Sequence, residues 1–207
     1  MTEKNDSLFK INIFVLGNAG VGKTCFILKY INNFYQSDYL NTIGIDVMAK
    51  TITLSNGEQV KISFYDTAGE ERFRAISLNL IKTADGILLM YDITDENSFK
   101  AIPGWLNSIK QVKGSEFPII LIGNKYDLEN ERKIQEEDGK KEAEKYELSF
   151  YESSNKEGIN IDEPVMELVS VITKDLKKNK EKNENKDNKT IKLNEKESGK
   201  QNKKRCC

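Results

Sequence analysis

Cysteine is scarce in this chain: there are three in 207 residues, two of them adjacent at the end as Cys206-Cys207. That set supplies neither a zinc-ligand spacing nor a disulfide framework, and a reducing cytosolic setting is the natural reading. The third, Cys25, is expected as a small buried residue. Long apolar runs are missing as well. No stretch approaches the roughly 20 residues that a bilayer-spanning helix needs, and the polar residues 1–7 contain no apolar signal core, so neither a secreted nor a transmembrane protein is expected. A basic body is the third absence. The formal net charge is −1, but residues 174–207 hold 13 Lys and Arg against 6 Asp and Glu, leaving 19 against 27 in the remainder. An acidic body argues against nucleic acid, whose phosphates reward a basic face. The length implies one domain with extensions, large enough to bury its own core without a metal or disulfide staple.

What the chain does have is a phosphate loop. Gly17-Asn18-Ala19-Gly20-Val21-Gly22-Lys23-Thr24 fits the pattern of Gly, four residues, then Gly-Lys-Ser/Thr. Its glycines let successive N–H groups point into one concavity, Lys23 adds a point charge, and the helix that follows adds its positive N-terminus. That cradle suits a di- or triphosphate. The expected contacts are Gly20, Val21, Gly22, Lys23, Thr24 and Cys25, with the Thr24 hydroxyl placed for Mg²⁺, a hard cation usually shared with substrate phosphates. The context agrees, since the apolar, β-branched run 11–16 precedes the loop as a buried strand would. Phe26, Ile27 and Tyr30 follow it at helical spacing.

Further along, residues 34–44 are polar and aromatic without periodicity and read as an exposed loop. Residues 45–54 and 59–65 read as two strands joined at Asn56-Gly57, a turn pair that favours an antiparallel hairpin. Asp66-Thr67-Ala68-Gly69 then supplies a strand-terminal carboxylate able to reach a metal beside the phosphate loop. Apolar runs 86–91 and 119–122 have the continuity of strands covered on both faces. Between them Phe99, Ile102, Leu106 and Ile109 mark a helix in which Pro103 is expected to kink the chain, with Trp105 as a core residue. Residues 131–146 read as a solvent-facing helix, 148–151 as a last strand and 161–176 as a closing helix. The alternation implies an α/β fold with a mostly parallel sheet wound on both faces. From residue 177 onward apolar residues nearly vanish, so 177–207 are expected to be disordered.

At Asn124-Lys125-Tyr126-Asp127 the motifs converge on a family. Together with the phosphate loop and Asp66-Thr67-Ala68-Gly69, this tetrad resembles the Ras-like small GTPases over roughly residues 8–176. A carboxylate at Asp127 accepts from both N1–H and the exocyclic amine of guanine, a pair that adenine lacks. The resemblance implies a three-layer P-loop GTPase fold with a six-stranded sheet, GTP and GDP as ligands, and Mg²⁺ as cofactor. It also implies that Asn124 meets the base and that the stem of Lys125 stacks on it; Glu152-Ser153-Ser154-Asn155-Lys156 resembles the last guanine motif, with Ser154, Asn155 and Lys156 as its nucleotide contacts. Asn155 stands where the family usually has Ala. That position works through its backbone N–H, so the change is expected to be tolerated. Thr42 resembles the switch threonine that joins Thr24 and Asp66 on Mg²⁺, Tyr35 the aromatic flanking the base, and Gly69 the γ-phosphate sensor. Tyr39 reads as a surface aromatic that joins the nucleotide contacts.

Within the family, Thr42-Ile43-Gly44-Ile45-Asp46, Glu71-Arg72-Phe73-Arg74, Tyr91-Asp92-Ile93-Thr94 and Cys206-Cys207 resemble the Rab branch. That implies a switch in vesicle and membrane traffic, lipid-anchored through geranylgeranyl groups on Cys206 and Cys207 at the cytoplasmic face of an endomembrane and otherwise in the cytosol. The implied partners are an exchange factor, a GTPase-activating protein, effectors, a prenyltransferase with its escort protein and a GDP-dissociation inhibitor. Departures accompany the matches. Glu70 replaces the catalytic glutamine that orients the attacking water, while Val47, Tyr65 and Leu80 stand where Rabs usually show Phe, Trp and Tyr. Two other readings follow from these residues: a module that holds GTP but hydrolyses it slowly, and a phosphate-loop kinase of small metabolites, which Asp127 disfavours.

Overall fold

The computed structural model describes residues 8–35, 44–67 and 80–178. Among these, strands β1 (Phe9–Leu16), β2 (Ile45–Thr53), β3 (Gln59–Thr67), β4 (Gly86–Asp92), β5 (Ile119–Asn124) and β6 (Ser149–Ser153) form one sheet in the order β2-β3-β1-β4-β5-β6. Only β2 runs antiparallel. Helices α1 (Lys23–Asn32), α2 (Glu96–Lys100), α3 (Ile102–Lys113), α4 (Glu136–Lys145) and α5 (162–178) accompany it.

Period-two side-chain alternation turns this sheet into the middle of three layers. Ile11, Ile13 and Val15 of β1 enter one core with Leu88 and Met90 of β4 and Ile120 and Ile122 of β5. Phe14 and Leu16 enter the opposite core with Ile87, Leu89, Tyr91 and Leu121. Strands buried on both faces therefore read as unbroken apolar runs. Phe26, Ile27 and Tyr30 of α1, with Val165, Leu168, Val169 and Ile172 of α5, close the first face; Trp105, Leu106 and Ile109 of α3, with Ala143 of α4, close the second. The expected hairpin is present. Gly57 takes φ +83°, its N–H donates to the Leu54 carbonyl at 2.9 Å, and Asn56 Oδ1 accepts from the Glu58 N–H at 3.0 Å.

Three local expectations are corrected. Pro103 does not kink a helix: Ala101 separates α2 from α3, and Pro103 lies in the first turn of α3, where its missing N–H would have had no intrahelical acceptor. The helix expected from residue 131 begins at Glu136 instead. The Lys133 and Ile134 N–H groups both donate to the Ile93 carbonyl, at 2.9 and 3.0 Å, and Ile134 is buried, so this segment is pinned to the end of β4 rather than coiled. The last strand reaches Ser153, two residues beyond its expected end, which carries Glu152 and Ser153 to the sheet's rim.

Register collects polar side chains along that rim. Val15 lies beside Asp66, Asp92 beside Asn124, and Asn124 beside Ser153. β3 and β4 flank β1, so the chain crosses over at β1, and ligands of doubly wound sheets sit outside the strand ends at such a crossover.

Candidate functional site

Two glycines shape the loop between β1 and α1. Gly17 takes φ +138°, and a Cβ there would lie 2.1 Å from the Met90 carbonyl oxygen; Gly22 takes φ +97°, and its Cβ would lie 2.4 Å from the Asn124 side-chain nitrogen and 2.8 Å from that of Asn155. Neither position accommodates a side chain. Lys23 folds back across the loop, its ammonium donating to the carbonyls of Gly17 at 3.1 Å and Asn18 at 2.8 Å. The residue is only 6% exposed, and burial pushes its pKa down from 10.5 to about 8 against the opposing pull of Asp66. Thr24 Oγ1 donates to Asp66 Oδ2 at 2.5 Å, which places a hydroxyl and a carboxylate, two hard oxygen donors, beside the loop. Among the described residues no group of three or more acidic or thiol side chains is placed to hold a metal. A two-oxygen set fits an ion that completes its shell with phosphate and water, as Mg²⁺ does.

Cys25 corrects its expectation: it is half-buried, because the buried stripe of α1 runs through Lys23, Phe26, Ile27 and Tyr30 and leaves position 25 towards the helix flank. Burial first, then Asp66, raise its thiol pKa, with Lys125 opposing. Trp105 is core, as expected, but also more than core. Its indole N–H donates to Asn18 Oδ1 at 3.2 Å and ties α3 to the loop.

On the other side of the rim, Asn124 donates through Nδ2 to the Val21 carbonyl at 2.8 Å and accepts at Oδ1 from Ser153 Oγ at 3.2 Å. Lys125, at φ +70°, pairs with Asp92 at 2.6 Å and keeps about a third of its side chain in solvent. The chain then enters a 3₁₀ segment, Tyr126–Glu131, whose Asp127 Oδ1 accepts from the Ser154 hydroxyl at 2.6 Å. Ser154 is itself held. Its Oγ accepts from the Glu157 N–H at 3.0 Å and its carbonyl from the Gly158 N–H at 2.8 Å. Asn155, 4% exposed, donates through Nδ2 to the Gly22 carbonyl at 2.9 Å, while Lys156 is exposed. Beneath this turn Arg132 grips Glu152 with two N–H bonds of 2.6 and 2.8 Å, both side chains buried. Its carboxylate neighbours raise the guanidinium pKa further, so the charge is permanent.

The structure thus brings Gly20, Val21, Gly22, Lys23, Thr24, Cys25, Asp66, Asn124, Lys125, Asp127, Ser154, Asn155 and Lys156 to one end of the sheet, with exposed Tyr35 after α1. Tyr39, Thr42, Gly69, Glu70, Cys206 and Cys207 lie outside the described residues. Asp92 and Glu152 lie within motifs that the sequence shows, but nothing in the sequence announces their ion pairs with Lys125 and Arg132, and Arg132 has no sequence signal for its positioning role.

A family model described as the Ras family matches residues 12–174. The chain belongs to the Ras family. Among its relatives, Ras-related protein Rab-13 of Rattus norvegicus is 40% identical over 172 residues, 83% of each chain. Ras-related protein Rab-30 of Homo sapiens is 37% identical over 177 residues, 86% of each, and Ras-related protein Rab-3C of Bos taurus is 39% identical over 167 residues, 81% of this chain and 72% of the relative. This Rab-type small GTPase binds GTP and GDP with Mg²⁺, hydrolyses GTP to GDP, and acts in vesicle traffic through regulators and effectors, in association with membranes. Among its described residues no helix is long and apolar enough to cross a bilayer. Of the three departures at the aromatic positions, Val47 and Leu80 are exposed, whereas Tyr65 stacks on Phe14 with ring centroids 4.3 Å apart.

Proposed function

We propose that the rim of the sheet holds the nucleotide lengthwise, phosphates on residues 17–24 and guanine on Asn124, Lys125, Asp127 and the turn Ser154-Asn155-Lys156. The observation that carries this reading is the Asn124 side chain, which donates to Val21 in the phosphate loop and accepts from Ser153 at the end of β6. Motifs about a hundred residues apart therefore make one site. Backbone N–H groups of the loop and Lys23 bind the phosphates, Thr24 and Asp66 together with Thr42 hold Mg²⁺, Tyr35 and Tyr39 border the nucleotide, and Gly69 senses the γ-phosphate. Bound Mg²⁺ supplies neutralisation of charge on the phosphate oxygens.

Hydrolysis then depends on Glu70. A glutamine amide both accepts from the attacking water and donates to the phosphate, whereas an ionised carboxylate only accepts. Loss of a donor aimed at developing charge is usually the larger effect, so intrinsic turnover is slow and an activating protein supplies the missing groups. Single-turnover hydrolysis of GTP and ATP by the native chain and Glu70→Gln, at saturating Mg²⁺, tests both points. Expected are hydrolysis of GTP but not ATP and a rise on the order of a hundredfold in Glu70→Gln. A native rate equal to that of the variant would make Glu70 a competent base instead.

In this reading residues 8–178 are the nucleotide-binding domain, because 177 and 178, expected to be disordered, continue α5 and Lys177 pairs with Glu58 at 2.5 Å, and 179–207, outside the described residues, are a tether. Thirty or so residues of Lys, Asn and Glu reach about 30 Å as a flexible chain. One lipid chain anchors marginally and two anchor stably. Geranylgeranyl groups on both Cys206 and Cys207, added by a prenyltransferase with its escort protein and extracted by a GDP-dissociation inhibitor, would hold the protein on an endomembrane, assisted by Lys203, Lys204 and Arg205. An exchange factor reloads GTP. Removing both thiols, as in Cys206→Ser, Cys207→Ser, is expected to move the protein from the membrane to the soluble fraction on cell fractionation; retention on membranes would contradict the tether.

A further inference from the structure

Two successive carbonyls of the phosphate loop, those of Val21 and Gly22, are each held by a side-chain amide from the base side of the rim, Asn124 at 2.8 Å and Asn155 at 2.9 Å. Both amide nitrogens crowd the α-carbon of Gly22 so closely that a Cβ there would overlap them. In a trans peptide the C=O and the following N–H point in opposite directions. Holding the Val21 carbonyl towards the base loops therefore turns the Gly22 N–H the other way, while the Gly22 carbonyl is shared between Asn155 and the Phe26 N–H of α1, so that Asn155 ties the guanine turn to the first turn of that helix. Asn155 is 4% exposed, and among the described residues its Oδ1 meets no hydrogen-bond donor, so the bond to Gly22 is what orients this amide. The opposite flip would set its oxygen against the Gly22 carbonyl.

We propose that Asn155 is a positioning residue: its side chain straps the guanine turn to the phosphate loop at the start of α1 and slows nucleotide release by fixing the span between base and phosphate subsites. The inference rests on the placement of the nucleotide given above and goes beyond it, since that placement uses only the backbone at position 155. A strap of this kind acts by pre-organisation. A protein whose two subsites already sit at the right separation loses less freedom when one ligand occupies both.

The effect is bounded by the geometry. The Gly22 carbonyl also accepts from the Phe26 N–H at 2.9 Å, so truncating Asn155 leaves that carbonyl paired and α1 intact. The loss is that of one buried neutral hydrogen bond, equivalent to about a three- to tenfold change. Asn155→Asp keeps the shape but replaces the donor with an acceptor that faces the Gly22 carbonyl.

The test measures GDP and IDP dissociation rates for the full-length native protein, Asn155→Ala and Asn155→Asp at saturating Mg²⁺, with Asp127→Asn alongside. Expected are GDP release about three- to tenfold faster in Asn155→Ala, at least as fast in Asn155→Asp, and an unchanged ratio of GDP to IDP rates in both. Release from either variant at the native rate would overturn the strap, because both substitutions remove the amide donor, Asp adding a negative charge that can only speed the release of a diphosphate. A shifted GDP to IDP ratio in Asn155→Ala would also overturn it, making the side chain a base contact. Failure of Asp127→Asn to lose its preference for GDP over IDP would instead strike the guanine placement itself, which keeps the two ideas separable.

Discussion

Asp127→Asn is expected to lower GDP affinity by about four orders of magnitude, because a site built to accept two base donors rejects a mismatch that leaves them unpaired. The structure shows which way the new amide would face. Ser154 Oγ already accepts from the Glu157 N–H at 3.0 Å, so its own proton is directed at Asp127 Oδ1, 2.6 Å away. In the variant the amide oxygen takes that proton, and the NH₂ group is presented to guanine N1–H and N2–H₂, donor against donor. Xanthine carries a carbonyl at C2 and accepts from the amide, so XDP is expected to bind the variant more tightly than GDP does. Competition between the two nucleotides reads the result. A variant that kept GDP affinity within tenfold of native would remove Asp127 from base recognition.

Sequence and structure agree most closely where a local signal has a local cause. Asn56-Gly57 is legible as a turn because its φ +83° glycine needs no distant partner, and β4 and β5 are legible because both their faces are apolar. The site was legible for the same reason: each motif sits at a strand end, and parallel strands put their C-terminal ends on one rim. What escaped involves partners that only the fold brings together. The indole of Trp105 meets Asn18 across 87 positions and Asn155 meets Gly22 across 133. Arg132 lies in a charged segment that reads as a helix surface, yet its bidentate bond to Glu152 holds the chain extended before α4 and steadies the strand end that carries Ser153 and Ser154. Pro103 misled through the opposite error, since helical periodicity and helical dihedrals run on across Ala101 (φ −79°, ψ −16°) while α2 ends there and α3 begins, which puts the proline in a first turn.

Lys23→Met is expected to lower GDP affinity about a thousandfold and to remove the part of the pH dependence of binding that comes from the buried ammonium. At an effective dielectric of 20, a charge about 4 Å from a phosphate oxygen is worth about 4 kcal/mol, or close to three decades. The pH behaviour follows from burial. Lys23 falls from 10.5 to about 8 in the folded, nucleotide-free protein, so between those values the unfolded chain binds more protons than the folded one. Nucleotide-free stability therefore rises with pH across that window, and below pH 8 the full cost of burying the charge, about 3 kcal/mol, is present. Phosphate reverses the sign. A bound diphosphate favours the ammonium form, raises the pKa again, and draws a proton from solvent when binding occurs above pH 8. GDP affinity is thus expected to be level with respect to Lys23 below about pH 7 and to weaken by up to about tenfold per unit above pH 8. Calorimetric titrations between pH 7 and 9.5, in buffers of different ionisation enthalpy, measure both the affinity and the proton uptake. Ionisation of the guanine base contributes equally to native and variant, so the difference between them isolates the lysine. A variant with the native pH slope would show that the buried ammonium is not the group that meets the phosphates.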